Sequence, residues 1–104
     1  MPMHAQPTMD LLPPELRTQL PPLYSQEHVA DPMARVRFFT PDSSWTWYAL
    51  EFDGEDLFFG LVIGQATELG YFRLSELHAA RGPLGLPIER DRHFTPAPLS
   101  TLRR

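Results

Sequence analysis

The chain has 104 residues and a formal net charge of −4, with 42% hydrophobic residues, 21% charged residues and no cysteine. This length predicts a single domain, and a composition close to the globular average excludes a wholly disordered chain. The acidic total excludes a general polyanion binder, which carries a basic excess. The absence of cysteine favours a reducing compartment.

The sequence predicts a cytoplasmic protein without a membrane segment. The longest apolar run, residues 57–63, is far shorter than the roughly 20 residues that a membrane-spanning helix needs. Residues 1–10 are polar, contain proline and lack the basic start and apolar run of a signal peptide. We expect them to form a flexible N-terminal arm, followed by a folded domain at residues 11–95 and a proline-punctuated C-terminal tail at residues 96–104.

A short first helix is predicted within residues 10–20. Leu12, Leu16 and Leu20 are spaced four apart and therefore share one helix face. Pro13 and Pro14 suit a first helical turn, and a second proline pair after Leu20 ends the helix.

From residue 34 the hydrophobic period changes to two, which predicts strands at residues 34–40, 45–52, 57–63 and 68–74. An Asp-Gly pair joins the second strand to the third, as in a hairpin. Ser75 predicts the N-cap of a second helix, and Pro87 can begin a short edge strand. The predicted fold class is α+β: an antiparallel meander sheet of about four strands with two short helices, in a single two-layer domain.

Four stretches are specific as a set: Leu11-Leu-Pro-Pro-Glu-Leu16; Phe39-Thr-Pro-Asp-Ser43 with Trp45-Thr-Trp-Tyr48; Leu57-Phe-Phe-Gly60 with Glu68-Leu-Gly-Tyr-Phe72; and Arg81-Gly-Pro-Leu-Gly-Leu-Pro-Ile-Glu-Arg-Asp91. Together they resemble a small bacterial family of unknown function, whose members are often carried on plasmids and integrative conjugative elements. The resemblance covers roughly residues 11–95. It implies an accessory role on mobile DNA and supplies no active-site residue.

The residue patterns predict no metal site, no cofactor and no catalytic residue. None of the four histidines lies three or four residues from another, as paired zinc ligands usually do. Neither a nucleophile elbow nor a phosphate-binding loop is present. An enzyme is therefore not the favoured interpretation. The enzymatic alternative is a small hydrolase or deaminating enzyme with a site at Glu51, Asp56, His78 or His93.

Aromatic residues are the most unusual feature. Every predicted strand carries adjacent aromatic residues, which point to opposite faces of a sheet. Two short helices can cover one face, and the other is either covered by the arm or the tail, or open. Arginines alternate with these rings, which gives a candidate binding surface of Arg35, Arg37, Phe39, Trp45, Trp47, Tyr48, Tyr71 and Arg73.

This surface predicts a non-enzymatic binding module. Aromatic and arginine side chains are the favoured anchors of protein interfaces, so we expect a protein partner or self-association that Trp47→Ala or Arg37→Glu weakens without unfolding the domain. Single-stranded nucleic acid, which stacks on aromatic rings and binds arginine through its phosphates, is the alternative ligand.

Overall fold

A five-stranded antiparallel sheet organises the protein, whose computed structural model describes residues 10–103. Its strands are β2 (Val36–Phe39), β3 (Thr46–Phe52), β4 (Leu57–Ile63), β5 (Thr67–Arg73) and β6 (Glu89–Arg90), joined in the order β5-β4-β3-β2-β6. A separate antiparallel pair consists of β1 (Met33–Ala34) and β7 (Ala97–Pro98). The helices of the described residues are α1 (Pro14–Arg17), α2 (Leu74–Ala79) and α3 (Leu99–Leu102). None of them is long and apolar enough to span a membrane.

The predicted α+β class and the antiparallel meander agree with this architecture, because β2 to β5 follow one another in the sheet as they do in the chain. The sheet has five strands where the meander was predicted to have about four, and the fifth, β6, lies beside β2 within the short edge strand that the sequence predicts from Pro87. A third helix, α3, accompanies the two predicted ones. With only four residues, α3 is too short to show a hydrophobic period in a sequence.

Two predicted segments lie at the limits of the described chain. Most of the predicted N-terminal arm falls on residues 1–9, which lie outside the described residues. The segment predicted as a C-terminal tail contains β7 and α3.

Buried apolar side chains cover one face of the sheet. We call this face the core face. The Phe58 ring lies at its centre, with ring centroids 5.6 Å from Phe38, 4.6 Å from Phe52 and 5.1 Å from Phe72. Each large side chain buried in this way contributes roughly 1.5–3 kcal/mol. The buried residues that cover the core face from outside the sheet are Leu11, Leu12, Leu20, Leu74, Leu77 and Ile88.

A β-bulge in β3 decides which side chains reach the core face. Ala49 pairs with Gly60 of β4, and Glu51 pairs with Phe59, the residue before Gly60. Leu50 is therefore an extra residue in β3, with no partner in β4.

The bulge reverses the alternation of side chains along β3. Ala49 and Phe52 both belong to the core cluster although they are three positions apart, an odd spacing that would place them on opposite faces of a regular strand. Glu51 points to the opposite face, which we call the outer face. The bulged strand also approaches Gly60 closely, because a Cβ at that position would collide with the carbonyl of Tyr48. This contact explains a glycine inside an otherwise apolar strand.

The connector, residues 21–32, covers part of the outer face and is held there by Glu51. The Glu51 carboxylate accepts hydrogen bonds from the backbone N–H groups of Tyr24 at 2.8 Å and Gln26 at 2.9 Å, and Glu51 is only 4% exposed. Tyr24 has a φ of 69°, in the left-handed region that non-glycine residues rarely adopt. The bonds to Glu51 stabilise this strained turn.

The C-terminal segment, residues 91–103, covers another part of the outer face. Phe94 packs against Tyr48 with ring centroids 5.7 Å apart. Farther along, the Asp31 carboxylate accepts hydrogen bonds from the backbone N–H of Ser100 at 2.9 Å and from its hydroxyl at 2.7 Å. The segment is thereby tied to the connector.

These two covering segments give the outer face buried residues of its own. Leu50 and Leu61 are buried but do not belong to the core cluster. The sequence left open whether the second face is covered or open, and the connector and the C-terminal segment cover its middle. Large apolar side chains stay exposed at the sheet edge, where Leu69 and Tyr71 of β5 lie.

Candidate binding surfaces

The eight residues of the predicted binding surface are divided between two regions. Trp45 and Trp47 share the side of β3 that faces the core cluster, against which Trp47 packs. The other six alternate with core residues and so lie on the outer face or at its edges: Arg35, Arg37, Phe39, Tyr48, Tyr71 and Arg73. No single surface contains all eight. Two of the concave regions formed by the described residues hold three of them, with Trp45 and Trp47 in one and Arg35 in the other.

The first region, which we call the tryptophan groove, has a volume of about 360 Å³ and is lined by Thr40, Ser43, Trp45, Trp47, Ala80, Arg81, Gly82, Pro83 and Ile88. The indoles of Trp45 and Trp47 stack with centroids 6.0 Å apart and an interplanar angle of 29°. Trp45 is 41% exposed. Its ring occupies the space that a Cβ on Gly64 would need. The exposed indole is therefore held between Trp47 and the backbone of Gly64.

The opposite wall of the groove is the loop at residues 81–87, which contacts within the chain keep in place. The N–H of Gly82 donates to the carbonyl of Leu86 at 2.9 Å. The Asp42 carboxylate accepts the N–H of Leu84 at 2.7 Å and fills the space where a Cβ on Gly82 would lie. Asp42 belongs to the turn between β2 and β3, so this turn fixes the loop and the groove is formed before any ligand arrives.

Arg81 places a cationic group at the rim of this apolar groove. Its guanidinium donates to the carbonyls of His78 at 3.0 Å and Ala80 at 2.7 Å, at the C-terminal end of α2. A cation is stabilised there by the helix dipole. Tryptophan and arginine dominate the binding energy of many protein interfaces, and both are present here.

The second region, which we call the arginine cleft, has a volume of about 290 Å³ and is lined by Pro13, Glu15, Leu16, Arg35, Val36, Arg90, Asp91, Arg92 and Phe94. Three arginines and two carboxylates give this lining a net positive charge within an acidic chain. Among the described residues, the buried Nε of Arg35 has no hydrogen-bond partner. Phe94 adds an aromatic wall.

Arg37 lies on the outer face with its charge already paired. Its guanidinium is 3.1 Å from the carboxylate of Asp91 and lies over the ring of Phe39, 4.9 Å from the centroid. Arg37 therefore fixes the chain after β6 against the sheet, in addition to any contact with a ligand.

The last two predicted residues lie at the β5 edge. Tyr71 packs against Phe59 with ring centroids 5.1 Å apart, and a hydrogen bond with the Tyr24 side chain raises the pKa of the Tyr71 phenol. Arg73 is 3.8 Å from the carboxylate of Asp56. This edge is separate from both concave regions.

Two of the four residues of the enzymatic alternative, Glu51 and Asp56, bind other segments of the chain with their carboxylates. Glu51 binds the connector, as described above. The Asp56 carboxylate accepts the N–H of Ser75 at 2.8 Å and its hydroxyl at 2.7 Å, at the start of α2. No hydrogen bond or ion pair of the described chain links any two of Glu51, Asp56, His78 and His93. Within residues 10–103, no three His, Cys, Asp or Glu side chains are grouped so that they could hold a metal ion.

Sequence reasoning missed the walls that face the predicted aromatic and arginine residues. Arg81 and Pro83 line the tryptophan groove, and Arg92 and Phe94 line the arginine cleft. A Gly-Pro turn beside an arginine, and an Arg-Asp-Arg run before an aromatic residue, were the available signals. Neither signal shows which strand the loop packs against.

A comparison with protein families covers nearly the whole described chain. The family model described as "Protein of unknown function (DUF2958)" matches residues 11–103. The chain belongs to this family. No curated protein and no solved structure matches it. The match confirms the part of the resemblance that concerns a family of unknown function, and it extends beyond residue 95 to include β7 and α3.

Proposed function

We propose that this member of the DUF2958 family is a non-enzymatic binding module of a mobile genetic element, and that it engages a protein partner through the tryptophan groove. The observation that carries the proposal is the exposed indole of Trp45, held in place by Trp47 opposite a wall fixed by Asp42. A groove formed in advance loses little conformational freedom on binding, so more of the contact energy appears as affinity.

The chemistry of the groove favours an apolar segment of the partner. Leu84 and Leu86 are exposed on the loop beside the groove and extend its apolar surface. Exposed apolar surface rimmed by polar groups marks interaction sites in soluble proteins. The guanidinium of Arg81 at the rim favours an acidic residue next to the apolar segment.

Affinity capture with the purified domain as bait, from cells that carry its natural gene, tests this proposal. We expect a partner protein in stoichiometric amount, with the captured amount reduced at least about tenfold by Trp45→Ala. Trp45 is the better residue to substitute, because Trp47 packs against the core cluster and its removal would also lower the stability of the domain. The matched control is Val29→Ala, an exposed apolar residue of the connector. Equal capture by Trp45→Ala and the unchanged domain, or no stoichiometric partner at all, would contradict the proposal.

Single-stranded nucleic acid is the second candidate ligand, and the arginine cleft is the observation that favours it. Arg35 and Arg92 lie beside Phe94 in this cleft, and arginine interleaved with an aromatic ring suits phosphate contact and base stacking.

Anisotropy of a labelled oligothymidylate tests the nucleic-acid alternative at 50 and 200 mM salt. Phosphate contacts make affinity fall steeply over this range, and Arg92→Ala is expected to weaken binding further. Tryptophan fluorescence is the wrong probe here, because both indoles lie in the other region. Absence of binding at micromolar protein, or affinity independent of salt, would remove this alternative.

A further inference from the structure

The β5 strand leaves one edge of the sheet open. The N–H of Gly64 donates to the carbonyl of Ala66 at 3.0 Å, and the N–H of Leu74 donates to the carbonyl of Asp56 at 2.8 Å. In an antiparallel ladder, hydrogen-bonded and non-hydrogen-bonded pairs alternate. The even-numbered residues 66–74 therefore direct their backbone groups to β4, and residues 67, 69, 71 and 73 direct theirs away from the sheet.

Most of these outward groups are available for a further strand. The Glu76 carboxylate accepts the N–H of Arg73 at 2.9 Å. Among the described residues, no hydrogen bond engages the N–H groups of Thr67, Leu69 and Tyr71. Unpaired edge groups of this kind are a template for pairing with another strand.

The side chains at this edge are largely apolar, whereas soluble proteins usually protect an open edge with charged residues, proline or a bulge. Leu69 is 41% exposed and Tyr71 is 52% exposed, both on the outer face. β5 contains no proline, no lysine and no bulge against β4, which are common means of blocking an edge. Its charged residues are Glu68 near one end and Arg73 at the other.

Gly70, at the centre of β5, is not required by the fold of a single chain. Its φ is not positive, and a Cβ built on it meets no atom within 4 Å. A glycine inside a strand is less stable than alanine by roughly 0.5–1 kcal/mol. Glycine in a strand often marks a place where another backbone approaches closely.

We propose that two copies of this chain pair through β5, antiparallel and about a two-fold axis at Gly70, so that the two five-stranded sheets become continuous. In this register Leu69 lies opposite Tyr71 of the second copy on both sides of the axis, and these outward-directed residues exchange the new backbone hydrogen bonds. Gly70 lies opposite Gly70 of the second copy, in the central non-hydrogen-bonded pair, where the two backbones are nearest.

The self-complementarity of the strand favours a second copy over an unrelated strand. Glu68 lies opposite Phe72 and Arg73 lies opposite Thr67, so no like charges meet across the interface. The two-fold axis forms the apolar Leu69–Tyr71 pair twice, once on each side of Gly70. An interface built on one pair of seven-residue strands is small, so we expect a weak and reversible dimer.

Sedimentation velocity of the purified chain from about 5 to 500 µM tests the pairing. We expect the weight-average mass to rise from 11.9 kDa toward twice that value. Leu69→Lys should weaken association at least about tenfold, whereas Val29→Lys, which changes an apolar residue of similar exposure in the connector, should leave it unchanged. A chain that stays monomeric at the highest concentration overturns the proposal, even if an unrelated protein binds this edge.

Leu69→Pro separates pairing from folding. The N–H of Leu69 is directed away from β4, so proline removes a donor to the second copy without breaking a bond of the β4–β5 ladder, and proline is tolerated at such a position of an edge strand. Association should fall at least about tenfold while circular dichroism shows the fold retained. Association that survives both Leu69→Lys and Leu69→Pro would place the dimer elsewhere and overturn the proposal. Because this test uses the purified chain alone, its outcome is independent of the tryptophan groove, and Trp45→Ala should not change it.

Discussion

The two faces of the sheet are covered by different means. On the core face, aromatic and aliphatic side chains pack around Phe58 without directional contacts. On the outer face, chain segments cross the sheet and carboxylates hold them, with Glu51 binding the connector and Asp31 binding Ser100. Apolar burial is lost only when the whole domain unfolds, whereas a carboxylate contact is lost on protonation. We therefore expect the core face to determine global stability and the outer face to determine local opening.

The largest effect should come from removing the central ring of the core face. Phe58→Ala is expected to lower the free energy of unfolding by about 3–5 kcal/mol, because it leaves a cavity among three other rings. Phe59→Ala is the matched control, since this neighbour on β4 points to the outer face and is only half-buried. We expect a loss of about 1–2 kcal/mol there. Urea unfolding at neutral pH measures both, and equal losses would remove the distinction between the faces.

A smaller effect is expected from Glu51→Gln, because the amide oxygen can accept from only one of the two connector N–H groups, and the side-chain NH2 faces the other in a buried site. The free energy of unfolding should fall by about 1–3 kcal/mol, and hydrogen exchange of the Tyr24 and Gln26 amides should accelerate. Glu55→Gln, at the exposed tip of the β3–β4 turn, should change stability by less than about 0.5 kcal/mol. Similar values for the two variants would show that Glu51 does not hold the connector.

The smallest effect concerns pH and the C-terminal segment. Hydrogen bonds from the hydroxyl and N–H of Ser100 lower the pKa of Asp31. A depressed pKa in the folded state means that the contact stabilises the segment above the ordinary value of 3.8, and that this stabilisation is lost as the pH falls through the folded pKa. Protection of the Leu99 amide, which donates to the carbonyl of Pro32, should therefore decrease below about pH 4, as amide exchange by NMR can measure.

The contact between Asp56 and Ser75 provides the comparison for this pH effect. It has the same pair of hydrogen bonds, and the pKa of Asp56 is lowered for the same reason. However, α2 also buries Leu74 and Leu77, whereas α3 buries no residue. Asp31→Asn should therefore release the C-terminal segment at neutral pH, while Asp56→Asn should leave α2 in place. The prediction would be wrong if Asp56→Asn lowered amide protection in α2 while Asp31→Asn left the C-terminal segment protected.

The middle of the sheet could be predicted from the sequence, because periodic strands show their own pattern. The predicted strands at residues 45–52 and 57–63 match β3 and β4 within one residue at each end. The covering of the outer face could not be predicted, since it rests on contacts between residues far apart in the chain. Asp31 and Ser100 are 69 residues apart, and nothing in either local sequence indicates the other.

The candidate surface was predicted in composition but not in arrangement. Arg37 and Phe39 share the outer face, as their spacing predicts. The spacing also separates Trp47 from its neighbour Tyr48, so the aromatic cluster of β3 is divided between two regions. The facing walls come from loops after α2 and β6, whose positions depend on the pairing of Asp42 with Leu84 and of β6 with β2. Tertiary contacts of this kind have no periodic signature.

The extra residue Leu50 gives β3 a spare position in its pairing with β4. Without it, Ala49 would still pair with Gly60, Glu51 with Phe59 and Phe52 with Phe58, so Glu51 would keep the outer face and Phe52 the core face. A single-codon deletion at Leu50 therefore leaves a regular ladder and costs the burial of one leucine. Deletion of a residue inside β4, which pairs with β5 without a break from Leu57 to Ile63, has no such spare position and would turn part of the strand to the wrong face.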